Sequence, residues 1–325
     1  MSLDTRLTKL LGIRHPVVLA PMATISGGRL AAAVTAAGGL GLIGGGYGDA
    51  QWLRREFEVA EKANVGCGFI TWSLARQPEL LDVALDRSPA AIMLSFGELH
   101  PFADRIRAAG VPLIAQAQTL DHARRALDAG ADIVVAQGGE AGGHGMSARS
   151  TFTLVPDVVD LAAERSPGTP VLAAGGVTDG RGLAAALALG ADGALVGTRF
   201  WATPEALVSP RAQQRALAAS GDQTVRTRAY DLVRQLDWPA EYNARALGNA
   251  FLDTWHGDQD ALAASLPQVV ADYQKAVAAE DFDTAAILVG EGVGLLRQVR
   301  PAGDIVADMV EQAAGILNRP ASIQR

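Results

Sequence analysis

The chain has 325 residues, of which 49% are hydrophobic and 19% are charged, so it encodes a globular protein with ample material for a core. A net charge of −7 without a basic cluster argues against nucleic acid as a partner. Cys67 is the single cysteine, the first residues lack signal-peptide features, and no apolar stretch is long enough to cross a membrane, which together predict a soluble cytoplasmic protein.

Short apolar runs recur through the first two-thirds of the chain. They are continuously apolar rather than alternating, as expected of strands that are buried on both faces of a parallel sheet. The predicted strands cover residues 17–23, 40–46, 65–70, 91–96, 111–117, 133–139, 170–177 and 193–200.

The segments between these runs are rich in Ala and Leu and are predicted to be helices. Four of them end before a glycine that can form a left-handed cap: 30–37 before Gly38, 102–109 before Gly110, 122–129 before Gly130, and 183–189 before Gly190. Eight strand–helix units in series predict an α/β fold, a (β/α)8 TIM barrel. A doubly wound open sheet is the weaker alternative, because no dinucleotide-binding glycine fingerprint follows the first strand.

The loop after the sixth run is the most unusual part of the sequence. Successive runs begin about 20–26 residues apart, but the sixth and seventh are about 37 apart. This loop, AQGGEAGGHG at 136–145, combines glycines that let the backbone approach a ligand with His144, which can transfer protons near neutral pH. Because barrel enzymes place catalytic groups on this side of the strands, His144 is the candidate acid–base residue. The alternative is that it only caps a backbone carbonyl, and the role of Glu140 is left open.

Two further glycine clusters follow the seventh and eighth runs, AAGGV at 173–177 and VGTRF at 196–200. Backbone N–H groups at such turns can bind a phosphate, and TIM barrels often have a phosphate site at these two positions. Asp179 is predicted near the N-cap of the following helix. The alternative is that the glycines only turn strand into helix. Since no P-loop motif is present, the predicted ligand is a phosphorylated cofactor.

After residue 200 the pattern is predicted to be helical without a further buried strand, with helices at 211–219, 224–234, 241–255, 262–279 and 284–288. Pro301 then begins a final helix, 302–317, expected to be the eighth helix of the barrel. We therefore predict a barrel made of 1–209 and 300–325, with an inserted helical substrate-cleft domain at 210–299. Trp201, Tyr230, Trp238 and Tyr242 either line the cleft or form the core of that domain. No histidine pair has metal-ligand spacing, so no metal is predicted, and Cys67 is expected to be a buried apolar residue.

The sequence resembles the FMN-dependent nitronate monooxygenase family, formerly called 2-nitropropane dioxygenases. The resemblance covers nearly the whole chain and lies in PMA (21–23), GGLGLIGGG (38–46), AQGGEAGGHG (136–145), LAAGGVTDGRG (172–182) and ALGADGALVGTRF (188–200). The EAGGH and GTRF segments, in this order and at this separation, are specific for the superfamily. NADH:quinone reductases and FMN-containing enoyl-ACP reductases are similar there too.

The resemblance implies that FMN binds at the C-terminal mouth of the barrel, with Pro21 and Met22 along the flavin ring and His144 as the catalytic histidine. Gly68 stands where many relatives have Asn, and Gln116 stands where some reductase relatives have Lys. The implied cofactor-binding residues are Pro21, Met22, Gly68, Gln116, Gln137, Gly142, Gly143, Gly175, Gly176, Leu195, Val196, Gly197 and Thr198.

Three hypotheses follow. The first is an FMN-dependent nitronate monooxygenase that oxidises alkyl nitronates with O2 to carbonyl compounds and nitrite, with His144 as a base toward neutral nitroalkanes or as a stabiliser of the nitronate anion. The second is an NAD(P)H-dependent FMN reductase acting on a quinone or an enoyl thioester. The third is a flavin- or phosphate-binding protein without turnover. The expected partners are a small nitronate or nitroalkane and O2, and the expected protein is a monomer or homodimer.

Overall fold

Eight parallel strands form the predicted barrel in this computed structural model, which describes residues 3–147 and 149–318. The strands are β1 (Val17–Leu19), β2 (Leu42–Gly44), β3 (Gly66–Ile70), β4 (Ile92–Ser95), β5 (Leu113–Ala117), β6 (Ile133–Gln137), β8 (Val171–Ala174) and β9 (Gly193–Val196). Their order is β1-β9-β8-β6-β5-β4-β3-β2, and a parallel bridge between Val18 and Leu40 joins the two ends of the sheet. The prediction of a (β/α)8 barrel is confirmed.

Alternation along the strands sorts the apolar side chains into an inner and an outer core. Val18 packs inside the barrel, whereas Val17 and Leu19 on either side of it pack toward the surrounding helices. Leu7 from the first helix joins the inner cluster. Both sets are fully buried, which is why the strands read as unbroken apolar runs. Cys67 of β3 is buried in the outer core, as expected, and burial raises the pKa of its thiol.

The helices that surround the barrel end at the predicted glycines. Gly38, Gly110, Gly130 and Gly190 have φ values of 97°, 68°, 77° and 92°, the left-handed region that favours glycine. The helices up to residue 201 are α1 (Arg6–Leu11), α2 (Gly28–Ala36), α3 (Ala50–Ala60), α4 (Thr71–Leu74), α5 (Glu79–Leu85), α6 (His100–Ala108), α7 (Leu120–Asp128), α8 (Thr151–Arg165), α9 (Gly180–Ala188) and α10 (Thr198–Trp201).

The segment between the eighth barrel strand and the last helix is not purely helical, and this prediction is wrong in three places. It contains the helices α11 (Pro210–Leu217), α12 (Ala229–Val233), α13 (Ala250–Trp255) and α14 (Gln259–Ala278), together with the strands β10 (Thr224–Thr227) and β11 (Asn243–Leu247). The predicted helices 224–234 and 241–255 therefore each begin with a strand, and residues 284–288 are not helical. The sequence TVRT of β10 carries β-branched residues, and Asn249 caps α13 by accepting a hydrogen bond from Leu252 N, which separates that helix from β11.

These two strands pair with a third strand from the loop after β6. β7 (Gly143–Gly145) lies antiparallel to β11, with His144 opposite Ala244, and β10 lies on the other side of β11. The final helix α15 (Ala302–Leu317) has the predicted bounds and packs against α9 and α2, as expected of the eighth barrel helix. The two ends of the predicted barrel domain, residues 1–2 and 319–325, lie outside the described residues. In the described part of the chain, no helix has the length and apolar character needed to cross a membrane.

Candidate active site

A cavity of about 840 Å³ lies between the loops that follow the barrel strands and the inserted segment. Twelve of the thirteen predicted cofactor-binding residues line it, and so does His144. The twelve are Pro21, Met22, Gly68, Gln116, Gln137, Gly142, Gly143, Gly175, Gly176, Leu195, Gly197 and Thr198. Val196 does not line the cavity, because its side chain packs in the outer core while that of its neighbour Leu195 belongs to the inner cluster.

His144 is paired with an acidic residue that the sequence did not single out. Its Nε2 lies 2.8 Å from Oδ1 of Asp231 on α12, and the two side chains are only 6% and 3% exposed. An Nε2–H donated to this carboxylate leaves Nδ1 as the ring nitrogen that can accept a proton from a molecule in the cavity. The second carboxylate oxygen of Asp231 is buried without a hydrogen-bond partner in the described part of the chain.

Burial lowers the pKa of His144 from its ordinary value, and the hydrogen bond and charge of Asp231 oppose this shift. The positive charges of Arg234 and Arg226 lower it further. Because the net direction is downward, the imidazole is neutral at neutral pH and can act as a base.

An aromatic cluster fixes the orientation of the imidazole ring. The rings of His144 and Trp238 are stacked, with centroids 3.4 Å apart and planes inclined by 5°. Trp238 also donates its Nε1–H to the hydroxyl of Tyr47 at 3.3 Å. Phe96, Trp72 and Tyr242 surround the indole edge-on. Stacking on one face and a hydrogen bond at the edge leave the imidazole little freedom to rotate.

A group of glutamine side chains supports the backbone of the same loop. The Oε1 atom of Gln137 accepts hydrogen bonds from Gln116 at 3.1 Å and from Gln118 at 3.0 Å. The Nε2 atom of Gln137 donates to the carbonyl of His144 at 3.3 Å. Gln116 is thus held in place by Gln137 at a position that lines the cavity.

Two arginines of the β10–β11 hairpin hold the glycine-rich loop. Arg226 donates to the carbonyls of Gly139 and Ala141, at 3.1 and 3.2 Å, and Arg245 donates to that of Gly139 at 2.9 Å. Burial, together with the charge of Arg245, lowers the pKa of Arg226 to about 10, so it remains charged at neutral pH. These charge-assisted bonds tie the His144 loop to the inserted segment.

Glu140, whose role the sequence left open, has a structural one. Its carboxylate accepts hydrogen bonds from the backbone N–H of Thr151 at 2.9 Å and from its hydroxyl at 2.9 Å, and the same hydroxyl lies 3.0 Å from the carbonyl of Gly175. The Glu140–Thr151 pair therefore connects the His144 loop to the turn after β8.

The glycine turns after β8 and β9, where a phosphate site is predicted, line the cavity. Gly175 and Gly176 have φ values of 102° and 75°, and among the described residues the N–H groups of Gly175, Gly176 and Gly197 have no acceptor. Asp179 caps α9 as predicted, accepting a hydrogen bond from Arg181 N at 2.9 Å. Free backbone donors at adjacent turns suit a phosphate, which would accept several hydrogen bonds at once.

The contact between Gly68 and Pro21 explains why glycine stands at position 68, where the sequence resemblance leads one to expect Asn. A Cβ atom on Gly68 would lie 2.3 Å from Cγ of Pro21, so an Asn side chain has no room at this position. Gly197 has the opposite character, since a Cβ there would meet Ala20 Cβ at 3.6 Å and Met22 Sδ at 3.7 Å, ordinary contact distances. Pro21 therefore packs directly against Gly68, whereas Gly197 has room for a small side chain.

Three side chains near His144 or in the cavity wall were not singled out by sequence reasoning: Asp231, Arg234 and Tyr47. Asp231 lies 87 positions from His144, and no motif connects the two. Of the four aromatic residues whose role was undecided, Trp201 and Trp238 line the cavity, and the buried Tyr230 donates its hydroxyl hydrogen to Asn249. Tyr242 packs against Trp238 behind the cavity wall. No group of His, Cys, Asp or Glu residues in the described ranges could hold a metal ion.

Comparisons with known proteins show that the chain belongs to the nitronate monooxygenase family. The profile of the nitronate monooxygenase family matches residues 4–64 and 70–312. A nitronate monooxygenase of Neurospora crassa is 31% identical, over 92% of this chain and 89% of its own. The structure of FabK from Thermotoga maritima superposes with a TM-score of 0.84 at 31% identity, covering 97% of this chain and 98% of that one. The nitroalkane oxidase of Streptomyces ansochromogenes gives 0.80 at 29% identity, covering 96% and 98%.

Proposed function

Because the chain belongs to the nitronate monooxygenase family, we propose that it is an FMN-dependent enzyme that oxidises alkyl nitronates with O2 to carbonyl compounds and nitrite. The observation that carries this proposal is the buried His144–Asp231 pair, with Nε2 and Oδ1 2.8 Å apart at the wall of the cavity. A base held against a carboxylate suits removal of the proton next to a nitro group, the step that converts a neutral nitroalkane into the nitronate that is oxidised.

FMN is the cofactor that the glycine turns support best. Gly175, Gly176, Gly197 and Thr198 would hold its single phosphate, and Pro21 and Met22 would lie along the ring. FMN supplies the electron transfer to O2, which no side chain of the cavity can perform. The contribution of this chain is to hold the substrate, exclude water and move the proton.

His144 accepts that proton when the substrate arrives as a neutral nitroalkane. Nδ1 takes the proton from the carbon that bears the nitro group, while the Nε2–H bond to Asp231 stabilises the imidazolium that forms. A substrate that is already a nitronate has lost this proton and does not need the base. The two forms of substrate therefore test the same residue in different ways.

A second candidate function is an NAD(P)H-dependent FMN reductase acting on a quinone or an enoyl thioester. The similarity to FabK, with a TM-score of 0.84, is the observation that favours it. The same barrel turns would bind FMN in either enzyme, so the two candidates differ in what binds against the inserted segment. We further propose that residues 210–299 form the substrate-cleft unit.

Anaerobic mixing of the yellow holoprotein distinguishes the two candidates. We expect loss of the oxidised-flavin absorbance on mixing with propyl-2-nitronate and little change with NADH or NADPH, followed by release of free FMN on denaturation. Rapid bleaching by NAD(P)H would instead establish the reductase. Recovery of FAD, or a colourless protein that ignores added FMN, would contradict the cofactor assignment.

A further inference from the structure

We propose that Arg234 and Tyr47 form an oxyanion-binding site that holds the two oxygens of the nitronate group in the cavity. This inference rests on the proposed function and specifies the part of the substrate that the inserted segment recognises. The site is built from a guanidinium at the end of α12 and a hydroxyl in the turn after β2.

Arg234 is the single lysine or arginine among the described residues that line the cavity. It follows the last residue of α12 and lies three positions after Asp231, so one turn of helix carries both the partner of the base and this positive charge. Its guanidinium has no ion pair or hydrogen bond within the described residues. A half-buried cation without a partner favours an anionic ligand, because the ligand restores the interactions that burial removed.

Tyr47 supplies the second donor. Its hydroxyl oxygen already accepts the Trp238 Nε1–H, so the hydroxyl hydrogen is available to a ligand. Burial raises the pKa of Tyr47, and the charge of Arg234 opposes this shift, so the hydroxyl stays protonated and lies within electrostatic reach of Arg234. The residue sits between Gly46 and Gly48, both with positive φ, in a turn that directs it to the cavity.

The other charges that face the cavity do not compete for this role. Glu140 is bound to Thr151, and Glu280 also borders a small second cavity next to Arg211 and Arg215. Asp231 is covered by His144, to which it is bonded. A nitronate carries its negative charge on its oxygens, so these would face Arg234 and Tyr47. The stacked His144–Trp238 pair, which is hydrogen-bonded to Tyr47, places the base beside the same site.

Binding of nitrate, a planar oxyanion with nitrogen-bound oxygens, tests the site without turnover. Titration of sodium nitrate into FMN-loaded protein, followed by calorimetry, should show a Kd about tenfold or more higher in Arg234→Gln and about fivefold higher in Tyr47→Phe. Arg234→Lys should stay within a few-fold of the wild type. Arg54→Gln, which removes an exposed charge on α3, is the matched control and should leave the Kd unchanged.

Turnover assays separate the oxyanion site from other roles of Arg234. In Arg234→Gln the KM for propyl-2-nitronate should rise by about tenfold or more, and kcat/KM should lose most of its dependence on salt concentration. An unchanged nitrate Kd and an unchanged KM would overturn the proposal. So would a defect confined to nitronates with a distal carboxylate, because Arg234 would then bind that carboxylate. If nitrate binding depends on Arg234 but nitronates are not oxidised, the oxyanion site stands and the proposed function fails.

Discussion

One wall of the cavity is formed mainly by backbone atoms, and the opposite wall is formed mainly by side chains. The barrel wall exposes backbone atoms of Gly175, Gly176 and Gly197 to the cavity. These residues belong to short glycine motifs in the sequence. The wall of the inserted segment presents side chains, chiefly Arg234 and Trp238. A wall made of backbone atoms suits a ligand that is the same in all related enzymes, such as a phosphorylated cofactor. A wall made of side chains can differ from one related enzyme to another according to its substrate. Substitutions that change one wall alone test whether the two walls bind different ligands.

Gly197→Val should have the largest effect, because it removes the cofactor. A Cβ at this position meets protein atoms only at 3.6 Å or more, so the chain should still fold, while the side chain fills the space where a phosphate would approach the backbone. Loss of two charge-assisted hydrogen bonds, each about 1.5–3 kcal/mol, would weaken FMN binding by about 10²-fold or more. Equilibrium dialysis with FMN measures this change.

Gly257→Val is the control for that experiment. No atom lies within 4 Å of a Cβ on Gly257, so this variant should bind FMN like the wild type. Circular dichroism on both variants checks that the barrel is intact. If Gly197→Val binds FMN with unchanged affinity, the phosphate lies elsewhere and the backbone wall has been assigned wrongly.

His144→Ala should come next, since it removes the base without touching the phosphate turns. We expect kcat/KM for a neutral nitroalkane to fall by about 10²–10⁴-fold, the usual effect of losing a general base, and much of the activity on the pre-formed nitronate to remain. Steady-state assays on both substrates, at matched flavin content, measure it. Equal losses on the two substrates would make His144 an anion stabiliser, and full activity on both would make it a structural residue.

Asp231→Asn should have a smaller effect and should reveal how the side-chain wall controls the base. An amide can donate to Nε2, which would move the ring proton to Nδ1, so kcat/KM for the neutral nitroalkane should fall by about 10²-fold. In the wild type this activity should rise with pH, and the midpoint of the rise should lie below the ordinary histidine pKa, because burial lowers the pKa of His144. Removing the carboxylate should shift that rise to still lower pH. A pH profile that does not move would show that Asp231 only fills space.

The barrel wall could be predicted from sequence because its signals are local. The strand runs, the caps at Gly38 and Gly190, and the bounds of the last helix each depend on a few adjacent residues. Val196 is among the implied cofactor-binding residues, yet its side chain packs in the outer core. This distinction depends on where the alternation along the strand begins.

The side-chain wall could not be predicted in the same way. The short strand β10 pairs with β11, and β11 pairs on its other side with β7, a partner about 100 positions away in the chain. The propensity of four or five residues does not reveal pairing over such a distance. The His144–Asp231 and Tyr47–Trp238 contacts also join positions that no motif connects. Contacts of this kind are determined by the tertiary structure and not by the local sequence.

The three-stranded sheet also limits how such enzymes can be recombined. One edge strand, β7, carries His144, while the central strand β11 and the other edge strand β10 belong to the inserted segment. Arg226 and Arg245 bind the carbonyls of the loop that leads to His144. A chimera that exchanges residues 210–299 for those of a relative would replace the partner strand of His144 along with the side-chain wall. The loop at 138–147 and the insertion therefore form one unit of exchange, and new substrate specificity is best sought by transplanting both together.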